Sequence, residues 1–261
     1  MASILDNQKQ FHLLIDENDI GKYVILCGDP GRVEKIAAHF ENAERVSQNR
    51  EYTVYTGYLD GVKISAASTG IGGPSAAICV EELARCGAHT FIRVGTSGGM
   101  REDVMGGDLC IASAAVRDDG TSREYMPLSY PAAADFEVVK ALAEAADEMC
   151  DKTAGNNYHV GVIQSKDSFY GETNPETMAV SDMLKEKWNA YLKLGCLASE
   201  MECAAIFSAA LTRGVRAGGM VLAIWNVERT AKGLESPVVL DTEKAVKCTV
   251  EAMRKLIKKD K

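Results

Sequence analysis

The sequence lacks the features that mark a membrane protein, an exported protein or a general nucleic-acid binder. No apolar run approaches the roughly 18 residues of a membrane-spanning helix. The amino terminus, MASILDNQKQFHLL, has neither a basic flank nor a long apolar core, as a secretion signal would. Acidic side chains outnumber basic ones, 37 to 29, so no broad basic face is available for nucleic acid. These absences predict a cytoplasmic protein that binds neither membranes nor nucleic acid.

Paired cysteines, low-complexity linkers and internal repeats are also absent. The eight cysteines include no C-x-x-C pair, which argues against a zinc site and against a disulfide framework. We expect them to be small buried apolar side chains. No linker divides the 261 residues, a length that can bury a sizeable core, so we interpret residues 1–261 as a single domain.

Short apolar runs alternate with amphipathic runs, which is the pattern of an α/β fold. Strands are predicted at YVILC, TFIRVGT, GDLCIASAAV, YHVGVIQS and AGGMVLAIWN, with a hairpin in YTVYTGYLDGVKISAAS that turns at Asp60-Gly61. Helices are predicted after GDP, from Pro74 to Cys86, from an Asp135 cap to about residue 150, and around SDMLKEKWNAYLKLG. Two more follow, one closed by Gly214 and a last one that ends in a solvated basic tail, RKLIKKDK.

The stretch STGIGGPS, residues 68–75, places three glycines and a proline between a strand and a helix. It has no lysine, so it is not a P-loop, and its glycine order does not match the dinucleotide fingerprint G-x-G-x-x-G. The glycines still allow close approach of a ligand, and the helix start still offers free N–H groups. A tight turn without a ligand explains these residues equally well.

Two arginines point to an anion. In CGDPGR, Arg32 falls in the first turn of a helix, where backbone N–H groups and a guanidinium can meet one anion. In IRVGTSGG, Arg93 lies inside an apolar strand near its carboxyl end, where ligands of α/β sheets gather. Burying an arginine is costly unless it is paired, so Arg93 requires either a carboxylate partner or a bound anion.

Seven segments together carry a resemblance to a known family. GDPGR, REYTVYTG, STGIGGPS, FIRVGTSGG, GGDLCIAS, DSFYG and SEMECAA occur in the order seen in nucleoside phosphorylases of the uridine phosphorylase type, from Phe11 to about Val227. The resemblance implies a mixed, distorted β-sheet flanked by helices, and a homo-hexamer of three dimers. It also implies pentosyl transfer: a nucleoside and phosphate give free base and ribose 1-phosphate. Phosphate is then a co-substrate, and no cofactor is required.

The resemblance also implies roles for individual residues. Those expected to hold phosphate, the last of them from the neighbouring subunit, are Gly28, Arg32, Arg93, Thr96 and Arg50. Those expected to contact ribose are Glu200, Met201, Glu202 and, across the dimer interface, His12. Taken alone, His12 is better explained as a surface histidine. Catalysis is assigned to Arg32, Arg93 and Glu202, because guanidinium groups bind a phosphate dianion and a carboxylate accepts from ribose hydroxyls. A monovalent-cation site, such as one for K⁺, would be formed at the dimer interface by Glu51, Ile71 and Ser75.

The expected base pocket departs from the family. Uridine-type members read uracil with a glutamine and an arginine after the FYG segment, where this sequence has Glu172 and Thr177. Purine-type members have an aspartate near the position of Asn226, and it serves as an acid toward the purine ring. The asparagine side chain cannot donate a proton in this way. The residues expected to line the pocket are Phe169, Glu172, Thr177, Ile224 and Trp225. Uridine or a related pyrimidine nucleoside is the first expectation, and an amino-bearing, purine or modified base is the second.

Two other functions are compatible with the resemblance. A nucleosidase would use water in place of phosphate and would have no reason to surround its site with arginines. A non-catalytic nucleoside-binding homologue would explain the altered base pocket, but not the intact phosphate and ribose motifs. Phosphate dependence of base release separates these possibilities.

Overall fold

The computed structural model describes residues 9–150 and 157–261. Residues 1–8, which belong to the amino-terminal stretch considered above for a secretion signal, lie outside the described residues. The strands in the described part are β1 (Tyr23–Cys27), β2 (Glu41–Asn49), β3 (Tyr52–Leu59), β4 (Val62–Ser68), β5 (Thr90–Gly99), β6 (Leu109–Asp118), β7 (Ala132–Ala133), β8 (Tyr158–Lys166), β9 (Ala198–Glu200) and β10 (Arg216–Asn226). The α-helices there are α1 (Pro30–Ala37), α2 (Gly73–Arg85), α3 (Thr121–Tyr125), α4 (Phe136–Met149), α5 (Phe169–Thr173), α6 (Ser181–Lys193), α7 (Cys203–Arg213), α8 (Val227–Ala231) and α9 (Glu243–Asp260).

The strands form one mixed sheet, as the sequence predicted. Its order is β10-β6-β8-β9-β5-β1-β4-β3-β2, and β7 pairs with β6. Because β5 also pairs with β10, the strands β5, β10, β6, β8 and β9 close into a ring. Strands β1, β4, β5 and β10 run parallel, so their carboxyl ends open on the same edge of the sheet. Ligands of α/β sheets bind at such an edge.

Helices cover both faces of the sheet and bury two apolar clusters. One cluster lies under α2 and α7, and the other lies under α1, α4 and α9. The predicted solvated tail is wrong for Leu256 and Ile257, which are buried because α9 continues to Asp260, whereas residues 258–261 are exposed. Seven of the eight cysteines are buried, as expected, and Cys150 is half-buried. No helix in residues 9–150 and 157–261 is long and apolar enough to cross a membrane.

Local chemistry explains the turns that position the site. The predicted hairpin turns at Asp60 and Gly61, which both have positive φ (52° and 74°), a conformation that Asp-Gly favours in two-residue turns. At the end of β1, the Asp29 side chain accepts a 2.8 Å hydrogen bond from Gly31 N and caps α1, with proline at the helix start. This cap places Arg32 in the first turn of α1, as predicted.

Candidate active site

A cleft of about 1210 Å³ opens at the carboxyl ends of β1, β5 and β10 and continues between β8, β9 and the helices α5 and α6. Most of the residues predicted for the site line this one cleft: Gly28, Arg32, Glu51, Ile71, Arg93, Thr96, Phe169, Glu172, Glu200, Met201, Glu202, Ile224 and Trp225. Four do not line it in this chain: His12, Arg50, Ser75 and Thr177.

Arg93 lies at the centre of the cleft and is paired with two carboxylates. Its Nε donates to Oε2 of Glu200 at 2.9 Å, and its Nη2 donates to Glu202. All three side chains are buried, with at most 6% of each exposed. Burial by itself would lower the pKa of Arg93, but the charges of Glu202 and Glu200 raise it above its ordinary value. Of the two partners expected for a buried Arg93, a carboxylate or a bound anion, the structure therefore shows the carboxylate.

The two glutamates have different surroundings. The carboxylate of Glu200 has its hydrogen-bond acceptor positions occupied. It accepts from Arg93, from the Ser165 hydroxyl, and from the backbone N–H groups of Glu202 and Cys203 at 2.9 and 3.0 Å. Glu202 accepts from Arg93 and from the backbone N–H of Gly72, at 2.7 Å. Burial raises the pKa of Glu202, and Arg93 opposes that shift. Glu202 therefore keeps acceptor capacity toward the cleft, whereas Glu200 holds the arrangement together.

The arginines retain donors for an anion. Nη1 of Arg93 is buried and has no hydrogen-bond partner among the described residues. The guanidinium of Arg32 lines the same cleft and makes no hydrogen bond or ion pair within residues 9–150 and 157–261. Gly95 leaves room for Arg93, since a Cβ at this position would lie 2.8 Å from Nη2. Unused guanidinium donors beside Gly28 and Thr96 make this end of the cleft suitable for a phosphate dianion.

The other end of the cleft has an aromatic wall and a partly buried ion pair. Phe169 lines it beside Glu172, whose Oε2 accepts from the Ser199 hydroxyl at 2.6 Å. Lys166, which motif reasoning missed, lies 3.0 Å from Oε1 of Glu172. Alternation along β8 could have indicated that Lys166 faces the same side as Gln164, but its partners are distant in sequence. Thr177 lies outside this wall, and its hydroxyl donates to the Asn174 carbonyl at 2.8 Å.

The end of β10 also contributes to the cleft lining. Its register against β5 shifts between Ala223 and Trp225, so Ile224 sits at a bulge, a feature that often re-aims side chains next to active sites. Ile224 and Trp225 both line the cleft. Asn226 is fully buried, and its amide donates to the carbonyls of Arg101 and Val104, both at 2.8 Å. This residue thus holds a loop in place and has no role as a base reader.

Residues 22–258 match the family model described as the Phosphorylase superfamily. The chain belongs to the Phosphorylase superfamily. A uridine phosphorylase of Treponema pallidum is 49% identical over 260 residues, which cover 100% of this chain and 99% of the relative. A uridine phosphorylase of Escherichia coli is 40% identical, covering 95% of this chain and 98% of the relative. A guanosine phosphorylase of Halorubrum lacusprofundi is 39% identical, covering 95% of this chain and 99% of the relative.

Two of the residues that the superfamily resemblance assigned to a neighbouring subunit lie away from the cleft of their own chain. His12 is half-buried, and its Nδ1 lies 2.7 Å from Oε1 of Glu82. Because a carboxylate only accepts, Nδ1 donates to Glu82, and Nε2 makes no hydrogen bond within the described residues. Arg50 is exposed at the turn between β2 and β3, with a φ of 53°. These positions are compatible with contacts to another subunit.

The residues that the superfamily resemblance assigned to a cation lie around Gly70. A Cβ on Gly70 would lie 2.8 Å from Cγ of Glu51 and 3.3 Å from Oγ of Ser75, so only glycine lets these side chains approach. Oγ of Ser75 is 3.3 Å from the Ile71 carbonyl oxygen. A carboxylate, a hydroxyl and a carbonyl are the oxygen donors that a hard cation prefers. The residues present therefore fit a K⁺-like ion.

Proposed function

We propose that this protein is a nucleoside phosphorylase of the uridine phosphorylase type. It converts uridine, or a related pyrimidine nucleoside, and phosphate into free base and ribose 1-phosphate, reversibly. The observation that carries the proposal is that two arginines with unused donors, Arg32 and Arg93, share one cleft with the carboxylate of Glu202. The similarity to uridine phosphorylases over essentially the full chain supports it.

The proposed chemistry depends on positioning. Phosphate, held by Arg32, Arg93, Gly28 and Thr96, attacks C1′ as the bond between C1′ and the base breaks. The bonding pair leaves with the base, and positive charge on the sugar is stabilised by the adjacent dianion. Glu202 accepts from the ribose hydroxyls, and Met201 packs against the sugar. The step needs neither a protein nucleophile nor a metal at the reacting atoms.

The test is phosphate dependence. We expect uracil release from uridine to require phosphate and to yield one ribose 1-phosphate per uracil, measured by chromatography. Release of uracil and free ribose without phosphate would instead identify a nucleosidase. Binding of uridine without turnover under either condition would identify a non-catalytic homologue.

Guanosine is the second candidate substrate, because a guanosine phosphorylase is 39% identical to this chain. An acceptor at Glu172 suits the N–H groups on the guanine edge, whereas we expect Trp225, which lines the same cleft, to restrict the space for a purine ring. The same assay with guanosine, inosine, cytidine and adenosine ranks the bases. A guanosine rate above the uridine rate would reverse our order of preference.

The proposed assembly is a homo-hexamer of three dimers with shared sites. His12 would reach the 5′-hydroxyl and Arg50 the phosphate of the neighbouring site, and Glu51, Ile71 and Ser75 would hold a monovalent cation at the dimer interface. The 79% exposure of Ile71 in one chain is what an interface residue would show before assembly. A cytoplasmic location and a role in pyrimidine salvage also stay predictions.

Subunit sharing can be tested by complementation. His12→Ala and Glu202→Ala subunits, each inactive alone, should regain activity when mixed under conditions that exchange partners, because some sites then receive both intact residues. A His12→Ala variant mixed with itself is the control. Sedimentation that finds a fully active monomer would contradict the shared site.

A further inference from the structure

Lys166 is a buried cation at the base end of the cleft, in a position that the residue assignments above leave without a role. It ends β8, and 9% of its side chain is exposed. Nζ donates to the Ser199 hydroxyl at 2.7 Å, lies 3.0 Å from Oε1 of Glu172, and lies 5.9 Å from the centre of the Phe169 ring. Lysine is almost never buried so deeply unless its charge is compensated, and here Glu172 compensates it.

The sheet register explains why these groups meet in the cleft. Gly98 of β5 pairs with Ser199 of β9, and Ser199 pairs with Gln164 of β8. Lys166 is two residues beyond Gln164, so alternation places it on the same face. All four residues line the cleft. The absence of a side chain at Gly98 leaves the space above Ser199 open to a ligand.

Hydrogen-bond capacity remains on both members of the ion pair. An ammonium has three donors, and Lys166 directs them to two partners, Ser199 and Glu172, so one is left. An ionised carboxylate has about four acceptor positions, and Glu172 uses two, for Lys166 and Ser199. The pair therefore offers one donor and about two acceptor positions side by side to a ligand lying against Phe169.

Resting on the proposed function, we propose that Lys166 and Glu172 together read the adjacent N–H and C=O of the base, and that Lys166 stabilises the leaving base. Glu172 accepts from the ring N–H, which is N3–H in uracil and N1–H in guanine and hypoxanthine. Lys166 donates to the neighbouring carbonyl oxygen, which is O4 in uracil and O6 in guanine and hypoxanthine. When the bond to C1′ breaks, its electron pair spreads onto that oxygen, where the ammonium lies. The base leaves as an anion and takes a proton from solvent.

This assignment predicts which bases are excluded. Cytosine and adenine carry a bare ring nitrogen where uracil and guanine carry N–H, and an amino group where those bases carry the carbonyl. With the ring held in place by ribose and phosphate, the bare nitrogen would face Glu172 and the amino group would face Lys166. Acceptor would then meet acceptor, and donor would meet donor. Uridine and 6-oxopurine nucleosides are the predicted substrates, and cytidine and adenosine are not.

The alternative is that Lys166 only clamps α5 to β9. The two roles, a structural clamp and a contact to the leaving base, differ in how strongly the loss of Lys166 lowers turnover of each substrate. A loosened clamp should slow all substrates alike, whereas loss of charge stabilisation should be largest for the base whose anion is least stable. Fluorine at C5 stabilises the departing uracil anion without changing the N–H and C=O edge, so uridine and 5-fluorouridine form a matched pair.

The variants are Lys166→Met, which keeps length and removes charge, Lys166→Arg as the conservative rescue, and Lys140→Met as a surface control. Lys140 is 56% exposed on α4, away from the cleft. We expect Lys166→Met to lower kcat for uridine by about 10²-fold, as for a lost oxyanion donor. The loss should be smaller for 5-fluorouridine, and Lys166→Arg should restore part of it. Equal losses on both substrates would establish the clamp and overturn the proposal.

Binding of free uracil gives a readout that does not need turnover. Calorimetry should show uracil binding to the native protein more tightly than cytosine, and more tightly than to Lys166→Met. Equal affinities for uracil and cytosine, or equal uracil affinities of the native protein and Lys166→Met, would overturn the assignment. This holds even if the protein proved to be a hydrolase or inactive. Absence of phosphorolysis with normal uracil discrimination would instead contradict only the proposed function. Matching circular dichroism and melting curves would show that the variants are folded.

Discussion

The backbone N–H of Gly72 donates a 2.7 Å hydrogen bond to Oε1 of Glu202, which joins the glycine-rich loop of residues 68–75 to the centre of the cleft. Gly72 has a φ of 92°, a left-handed conformation that favours glycine. The other oxygen of Glu202 accepts from Arg93. The loop thus binds a carboxylate of the protein itself, and this carboxylate in turn orients the arginine proposed to bind phosphate.

Glu200 and Glu202 should respond differently to loss of charge. In Glu200→Gln, an amide NH₂ must face N–H donors, and Arg93 loses a buried partner, so we expect a loss of ~3–5 kcal/mol in the free energy of unfolding. In Glu202→Gln, Arg93 keeps Glu200, so the loss of stability should be smaller. Turnover should nevertheless fall by about 10²-fold, because ribose loses its anionic acceptor.

Urea denaturation and uridine kinetics on both variants test this division, each variant serving as the control for the other. Similar stability losses, or a larger stability loss in Glu202→Gln, would contradict it.

Arg32 should affect phosphate without affecting the fold. Its guanidinium makes no hydrogen bond or ion pair within the described residues, so Arg32→Gln should leave the melting temperature close to that of the native protein. Loss of one charged contact to the dianion should cost ~2–4 kcal/mol in kcat/KM for phosphate. Arg93→Gln is the matched comparison, and it should lose stability as well because its two carboxylates are left buried. Unchanged phosphate kinetics in Arg32→Gln would remove this residue from the site.

The sequence predicted the position of Arg32 better than that of Lys166, for a physical reason. Arg32 is positioned by local chemistry, the cap at Asp29 and a proline at the helix start, which can be read from adjacent residues. Lys166 is positioned by Ser199 and Glu172, whose proximity depends on strand pairing and on the fold of α5. A lysine in the segment QSKDS has no local signal of burial, so sequence patterns cannot distinguish it from a surface lysine.

The same reasoning explains the errors in secondary structure. The hairpin at Asp60-Gly61 was correct because two positive-φ residues mark it. The strand β2 was missed because its residues are all exposed or half-buried and show no apolar alternation. The strand β9 was missed because three residues are too few for a periodic pattern. The predicted strand from Thr90 to Thr96 extends to Gly99, since β9 and β10 pair with its end.

Alkaline pH should weaken the contact between β1 and the carboxyl-terminal helix. The Tyr23 hydroxyl donates to Oδ2 of Asp260 at 2.8 Å. Burial and this hydrogen bond raise the pKa of Tyr23 from 10 to about 12. The unfolded chain then loses the tyrosine proton at a lower pH than the folded chain does. The stabilisation is complete below pH 10 and is lost as the pH rises to about 12.

Urea unfolding from neutral pH to this alkaline range, on the native protein and on Tyr23→Phe, measures this contribution. The native protein should lose stability more steeply, because lysines and other tyrosines titrate in both proteins and cancel in the comparison. Parallel curves would show that Tyr23 does not couple to the fold in this way.

Trp225 should determine how large a base the cleft accepts. It follows the bulge at Ile224 and lines the same cleft as Phe169, so we expect its indole to restrict the space for a base larger than a pyrimidine. In Trp225→Ala, guanosine should gain relative to uridine, because the purine fills the vacated volume while uracil loses packing. A change in hydrophobic pocket size is typically worth ~1–3 kcal/mol, so the ratio of kcat/KM values should shift by about tenfold or more.

Ile224→Val is the matched control, as it removes one methyl group from the same wall. Competition between the two nucleosides in one reaction measures the ratio directly, and an unchanged ratio in Trp225→Ala would mean that the base lies elsewhere in the cleft.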